Sequence, residues 1–149
     1  MAIARGAGTE IIRSIHLEDV DSTARKLIVG VQHHIYTVLS VLAHAVGLNA
    51  DTDWIRMYLT GYDSLGGTTA QNLFIFQQDM SVAQTYVWND KFSFNGFEPT
   101  DFAGPMDDAT KQDAIADQGS GVAQVLYIAT EHAVDNIDVT CTYIDQNNA

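Results

Sequence analysis

The chain is poor in cysteine, proline and basic residues, and each shortage excludes something. Cys141 is the one cysteine among 149 residues, which excludes an intramolecular disulfide. The two prolines, Pro99 and Pro105, interrupt no segment with strand periodicity. Seven basic residues against 19 acidic ones give a net charge of −12. This balance argues against nucleic acid as a direct partner, because phosphates are neutralised by clusters of Lys and Arg.

Long apolar runs are also missing. No stretch of about 18 apolar residues occurs, so we expect no membrane span. The first residues lack a charged segment followed by an apolar one, so we expect no signal peptide. Cys141 lies between two threonines in a β-rich segment. We expect it to be a small buried hydrophobe, since a reactive thiol needs a partly exposed, electropositive setting.

What the chain does have is strand periodicity. Alternating segments bounded by Gly, Asn and Asp predict about eight strands, and Asn95-Gly96 is a tight-turn signal. We therefore predict an all-β fold, a jelly-roll-like antiparallel β-sandwich. The predicted strands are 9–17, 25–30, 33–46, 54–60, 72–77, 81–88, 122–130 and 137–144, with a short extended piece at 91–94.

The longest predicted strand, 33–46, divides into two faces at period two. One face is mostly apolar and the other is mixed, which is typical of a strand with one dry side. In strand 54–60 the same rule sets three apolar residues against Trp54, Arg56 and Tyr58. The predicted dry face of 33–46 consists of Ile35, Thr37, Leu39, Val41, Ala43 and Ala45.

Two segments do not have strand periodicity. Residues 1–8 predict an N-terminal arm, and residues 9–149 a single β-sandwich domain. Residues 97–121 predict one long loop, and such loops in compact domains are usually functional or disordered. The residues that we expect to contact a partner are Arg5 in the arm, Phe97, Phe102 and Met106 in the loop, and the aromatic Trp88.

The histidines do not predict a metal site. His33 and His34 are adjacent, so on a strand they point to opposite faces. His44 follows His34 by ten residues, or about 33 Å of extended chain. Nucleophile signatures fail as well, because Gly61–Gly66 has its second glycine one position late for a nucleophile elbow. We expect no catalytic residue, no metal and no cofactor, and therefore no enzyme.

Several segments resemble bacteriophage virion proteins of the jelly-roll capsid decoration, or cement, kind. They are residues 1–12, 54–61, 87–96 and 125–143. The resemblance implies a non-enzymatic structural protein of the virion, a symmetric homo-oligomer with a trimer favoured. It also implies a seat on the capsid exterior, where the protein stabilises the shell. The expected partners are copies of itself and the major capsid protein or other virion proteins, with no nucleic acid and no membrane.

Two other functions stay open at this point. The chain could be a head–tail connector or tail component of the same virion. It could also be a carbohydrate-binding jelly-roll module, for which an exposed Trp54 or Trp88 above an acidic groove would be the sign. An enzyme on a cupin-like scaffold is disfavoured by the histidine spacing. Fold alone decides none of these.

Overall fold

A computed structural model describes residues 8–61, 71–98 and 122–147, and these residues form nine β-strands in two sheets. No helix that could cross a membrane occurs in these three ranges. The strands are β1 (Thr9–Val20), β2 (Arg25–Val29), β3 (His34–Gly47), β4 (Asp53–Gly61), β5 (Gln71–Met80), β6 (Thr85–Trp88), β7 (Phe92–Asn95), β8 (Val125–Thr130) and β9 (Asn136–Asn147).

The strand order is that of a jelly roll. Sheet I has the order β1-β9-β3-β6, with β7 also paired to β3, and sheet II has the order β2-β8-β4-β5. All the pairs are antiparallel. Strands distant in sequence therefore lie side by side, as in the Greek-key connections of double-sheet folds. The predicted all-β sandwich is confirmed, with nine strands because the piece near residues 91–94 is a strand of its own.

The core lies between the inner faces of the two sheets. On β4, Ile55, Met57 and Leu59 are buried, as the alternation predicts. Across from them, β9 buries Val139 and Cys141. Cys141 is fully buried, and burial raises the pKa of its thiol to about 12, which confirms the small buried hydrophobe.

The predicted dry face of β3 is wrong for the first half of the strand. Tyr36 and Val38 point into the core there, and Ile35 lies at the surface. A β-bulge causes the change, because Val38 and Ser40 oppose consecutive residues of β9 and leave Leu39 as the extra residue. Beyond the bulge the alternation is in phase with the prediction, and Val41, Ala43 and Ala45 are fully buried.

The same bulge accompanies the break between β6 and β7. Trp88, the last residue of β6, pairs with Val41, and Phe92, the first residue of β7, pairs with Val38. Between these two pairs, two residues of β3 face three residues of the edge chain, which therefore cannot continue as one regular strand. This is why the region contains two short strands where the sequence predicts a single strand and a short extended piece.

Trp88 is a core residue and not an exposed one. The residue is 8% exposed, and its ring packs against Phe76 and Phe92, with ring centroids 5.8 Å and 5.9 Å away. The expectation that Trp88 presents its ring to a partner is therefore corrected. The physical reason is the alternation of β6, in which Thr85 and Val87 point to solvent and Trp88 therefore points into the core.

Candidate functional site

The outer face of sheet II carries a cluster of aromatic rings around one arginine. The alternation of β4 buries Ile55 and Met57 and so directs Trp54, Arg56 and Tyr58 outward. The neighbouring strands add Tyr127 of β8 and Phe74 of β5, both directly opposite Tyr58 in the register. We call the set Trp54, Arg56, Tyr58, Phe74 and Tyr127 the aromatic face.

Arg56 lies at the centre of the aromatic face. Its guanidinium carbon is 4.4 Å from the centroid of the Trp54 ring and 4.5 Å from that of Phe74. Both contacts are in the range of cation–π attraction. The Nε atom of Arg56 is buried and has no hydrogen-bond partner among the described residues. The guanidinium is thus held in place by rings, while part of its hydrogen-bonding capacity is unused.

The tyrosines extend the cluster across three strands. Tyr58 stacks on Tyr127 with ring centroids 5.3 Å apart and meets Phe74 edge-on at 5.6 Å. Burial raises the pKa of Tyr58, with Tyr127 adding to the rise and Arg56 opposing it. Phe74 is 53% exposed on an edge strand. An apolar surface that contains a cation and sits at a sheet edge is suited to contact with another molecule.

The positive charge on this face has a second source. Lys26 of β2 is exposed and pairs directly with Tyr127 in the register, so it lies on the same side of sheet II. The chain as a whole carries 19 acidic residues and only seven basic ones. Arg56 and Lys26 therefore place two of the scarce cations beside the rings.

The outer face of sheet I has a different chemistry, built from hydroxyl-bearing side chains. Pairs of residues that are opposite each other on neighbouring strands form hydrogen bonds across the sheet. Leu42 and Val87 add an exposed apolar pair. We call this surface the hydroxyl face, and its hydrogen-bonded pairs are Ser14–Thr142 (3.1 Å), His16–Thr140 (2.7 Å), Thr37–Ser93 (2.9 Å) and His44–Thr85 (2.8 Å).

The five residues predicted from the sequence to contact a partner are not brought together among the described residues. Arg5, Phe102 and Met106 lie outside those residues, so their role stays a prediction, as does that of the arm 1–8. Phe97 is half-buried and forms a β-bridge with Ala123. That bridge ties the start of the predicted loop to the segment that leads into β8.

A shallow cavity of about 250 Å³ opens beside β1, β2, β3 and β9. Asp145, 5% exposed, accepts hydrogen bonds there from Arg13 Nε at 3.0 Å and interacts with His34 Nδ1 at 2.6 Å. Burial and the charge of Asp145 raise the pKa of Tyr36 to about 12. The phenol oxygen of Tyr36 accepts the Val31 N–H. Because these contacts pair the polar groups of the cavity with one another, we infer that they stabilise the fold and do not form a binding site.

Asp53, His132 and Asp135 form a third polar cluster, where the turn before β4 meets the turn between β8 and β9. Their ligand-type atoms all lie within 4.8 Å of one another. Burial raises the pKa of Asp135, but a side-chain hydrogen bond shared with Asp53, backbone N–H groups of Asn49 and His132, and the Thr130 side chain outweigh burial and hold that pKa below its ordinary value. By contrast, the histidines considered from the sequence do not meet at one site. His34 contacts Asp145, and His44 contacts Thr85.

Sequence reasoning missed both the aromatic face and this cluster. The 54-56-58 alternation predicts that three side chains share a side, but Tyr127 joins them only through the register of β8 on β4. For the cluster, the His132-x-x-Asp135 spacing in a turn is the available signal. It becomes informative only when the fold brings Asp53 beside it.

Comparisons with known proteins give no family. No protein-family model matches the chain, and no curated protein matches it in sequence. A solved chain from Bacillus endospore appendages, a family of disulfide-linked pili, is 12% identical with a TM-score of 0.44. That match covers 100% of this chain and 97% of the other.

Two solved chains of infectious bursal disease virus also match. One comes from the T13 viral particle, at 6% identity and a TM-score of 0.42, and the other from the Gx strain, at 5% and 0.43. Each match covers 99% of this chain, but only 37% and 35% of the viral chains, so this chain spans about a third of their length. Because all three TM-scores lie below 0.5, these likenesses assign no function to this chain.

Proposed function

We propose that this protein is a non-enzymatic structural protein that assembles through the aromatic face. The observation that carries the proposal is the guanidinium of Arg56, held between the rings of Trp54 and Phe74 on the outer face of sheet II. Trp, Tyr and Arg are the residues most enriched among those that dominate binding energy at protein interfaces. The aromatic face contains all three types in one continuous patch.

The partner that we favour is a second copy of the chain, in a symmetric homo-oligomer, with a trimer as the expected state. Charge supports this choice, because a chain with a net charge of −12 has carboxylates in excess that can pair with Arg56 and Lys26 of another copy. An arginine fixed by rings has already lost much of its side-chain freedom, so forming a bidentate pair costs less entropy. In this assembly the aromatic face of one copy meets an acidic surface of the next.

The finer assignment is a capsid decoration, or cement, protein of a bacteriophage virion, located on the capsid exterior. The resemblance seen in the sequence and the jelly-roll strand order support it. A head–tail connector or tail component is the alternative within the same virion. Stoichiometry separates the two, because cement occupies many equivalent sites on a capsid and a connector occupies one vertex.

Sedimentation velocity on the full chain tests the assembly. We expect the wild-type protein to sediment as an oligomer, Arg56→Ala to shift toward monomer at the same concentration, and His44→Ala to sediment like wild type. His44 is the matched control because it is an exposed polar residue on the hydroxyl face. A thermal melt of each variant confirms that it is folded. A monomeric wild type at tens of micromolar, or an unchanged Arg56→Ala, would contradict the proposal.

Co-sedimentation with assembled capsids of the parent phage then tests the finer assignment. We expect binding in many copies per capsid, and a loss of binding for Arg56→Ala beside normal binding of His44→Ala. Binding of about one oligomer per capsid would favour the connector. No binding of the wild-type protein would leave a homo-oligomer without a cement role.

Carbohydrate binding is the second candidate, and a specific observation favours it. Trp54, Tyr58 and Tyr127 offer ring surface at one face, and the acidic Asp79 pairs with Trp54 in the register. Aromatic rings beside hydrogen-bonding groups are typical of ligand sites. A glycan array separates the functions, because saturable binding that Trp54→Ala abolishes, in a protein that stays monomeric, would replace assembly with sugar recognition.

A further inference from the structure

The cluster of Asp53, His132 and Asp135 joins two turns that are far apart in sequence. Asp53 is the first residue of β4, and the other two residues lie between β8 and β9. Asp53 is 1% exposed and Asp135 is 4% exposed. Two carboxylates buried this deeply need compensating charge or hydrogen bonds, because burial without them is costly.

Backbone N–H groups fix the orientation of both carboxylates. Asp53 Oδ2 accepts from Asn49 at 3.1 Å and Ala50 at 3.3 Å. Asp135 accepts from Asn49 at Oδ1 and from His132 at Oδ2, both at 2.9 Å. Outer hydrogen bonds of this kind also orient carboxylates that bind metal ions, since each oxygen keeps a second lone pair. Asp53 Oδ1 accepts none of these backbone bonds and faces the imidazole.

The contact between Asp53 and His132 does not have the geometry of a hydrogen bond. His132 Nδ1 is 3.2 Å from Asp53 Oδ1, within ion-pair distance. Nevertheless Nδ1 is buried and has no hydrogen-bond partner among the described residues. A tetrahedral zinc ion with bonds of about 2.0 Å separates its ligand atoms by ~3.3 Å, which matches this distance. The spacing therefore suits two ligands on one ion.

We propose that Asp53, His132 and Asp135 bind one divalent transition-metal ion of the zinc class. One imidazole nitrogen and two carboxylates make a mixed N/O ligand set, which suits Zn²⁺, whereas Ca²⁺ takes six to eight oxygens. The His132 side chain is 42% exposed, so the ion can enter from solvent and keep an open position there. Its structural effect is to link the turn before β4 to the turn before β9.

Titration of ZnCl₂ into the chelator-treated full chain, followed by isothermal calorimetry, tests this site. We expect one equivalent of Zn²⁺ to bind and the melting temperature to rise with Zn²⁺ concentration. His132→Ala should weaken binding at least tenfold, because it removes the nitrogen ligand. His16→Ala is the matched control, since His16 also lies near a carboxylate, Glu18 at 3.8 Å, but on the exposed surface of sheet I. It should bind like wild type.

Two further measurements keep the test decisive if a variant is less stable. Co²⁺ in place of Zn²⁺ should give the visible absorption of a four-coordinate ion, and CaCl₂ should give no saturable heat. Asp53→Asn keeps an oxygen in the place of Oδ2, which accepts the Asn49 and Ala50 N–H groups, and loses the charge at Oδ1, so it should stay folded and bind Zn²⁺ more weakly. Failure of the wild-type protein to bind Zn²⁺ at 1:1, or a His132→Ala variant that binds like wild type, would overturn the proposal.

Discussion

The two outer faces of this sandwich have the same strand architecture and opposite chemistry. On the hydroxyl face, serine, threonine and histidine side chains bond to one another across neighbouring strands. On the aromatic face, rings hold an arginine whose Nε has no described partner. The hydroxyl face pairs its polar side chains with one another and also exposes Leu42 and Val87, while the aromatic face presents a cation between rings. The fold provides two similar platforms, and side-chain choice gives them different chemistry.

The largest expected effect concerns how β3 maintains the hydroxyl face. Leu39 is the extra residue of the bulge, so deleting it leaves regular alternation and every other β3 residue on its present side. Deleting Leu42 instead would move Ala43 outward and His44 toward the core. We expect the Leu39 deletion to melt cooperatively and the Leu42 deletion to lose its cooperative melt, as followed by circular dichroism near 218 nm and in the near-UV.

Equal melts for the two deletions would contradict this account of the bulge. They would mean that β3 can shift its bulge along the strand at little cost. A Leu39 deletion that fails to fold would show that the bend at the bulge, and not only its register, is needed where β6 gives way to β7.

The next effect compares the faces as binding surfaces. Trp54→Thr removes one of the two rings around Arg56 and gives sheet II a residue typical of the hydroxyl face. We expect self-association to weaken by roughly 30-fold, equivalent to about 2 kcal/mol for an interface hot spot. The cost to folding should be only ~0.5–1 kcal/mol, the worth of an exposed cation–π contact. Concentration-dependent sedimentation beside urea melts separates the two quantities.

Leu42→Thr is the matched change on the hydroxyl face, since Leu42 is 42% exposed. It should leave self-association within about twofold of wild type. Equal weakening by both changes would mean that neither face is the principal contact, and weakening by Leu42→Thr alone would assign the contact to sheet I.

A smaller effect is the pH dependence of the unfolding free energy that comes from Cys141, which lies on the inner side of sheet I, behind the hydroxyl face. The pKa of Cys141 is about 12 in the folded chain, above its ordinary value of 9.0. Above pH 9 the unfolded thiol ionises while the folded thiol keeps its proton, so the free energy of unfolding falls as the pH rises from 9 toward 12. Below pH 9 the thiol causes no slope. Urea melts at pH 7.5 and pH 10 should show this loss.

Cys141→Ala is the control for that experiment, because other groups also titrate above pH 9. The variant should be less stable at both pH values through its small cavity, but its loss between them should be smaller than that of wild type. In the folded wild-type chain, Ellman's reagent should react with Cys141 only as fast as the protein opens. Rapid reaction at pH 8 without denaturant would contradict the buried thiol.

Local alternation predicted the features that a single strand determines, namely its bounds and which of its side chains point inward or outward. Strand 54–60 was placed within one residue at each end of β4, Asp53–Gly61, and its inward and outward residues were correct. The predicted face of β3 was wrong for the first half of the strand, because a bulge adds a residue without a distinctive local sequence. The aromatic face and the Asp53 cluster depend on residues about 70 to 80 positions away in the sequence, so no single segment could reveal them.

The smallest effect should come from the hydroxyl pairs themselves. Thr140→Val keeps the shape of the side chain and removes the hydroxyl that bonds to His16 Nδ1 at 2.7 Å. His16 is exposed, so water replaces the lost partner, and the change in unfolding free energy should stay within ~0.5 kcal/mol. The melt and the sedimentation profile should both match wild type. A loss above about 2 kcal/mol would show that the pair is shielded from water, which would make the hydroxyl face a second contact surface and remove the contrast between the two faces.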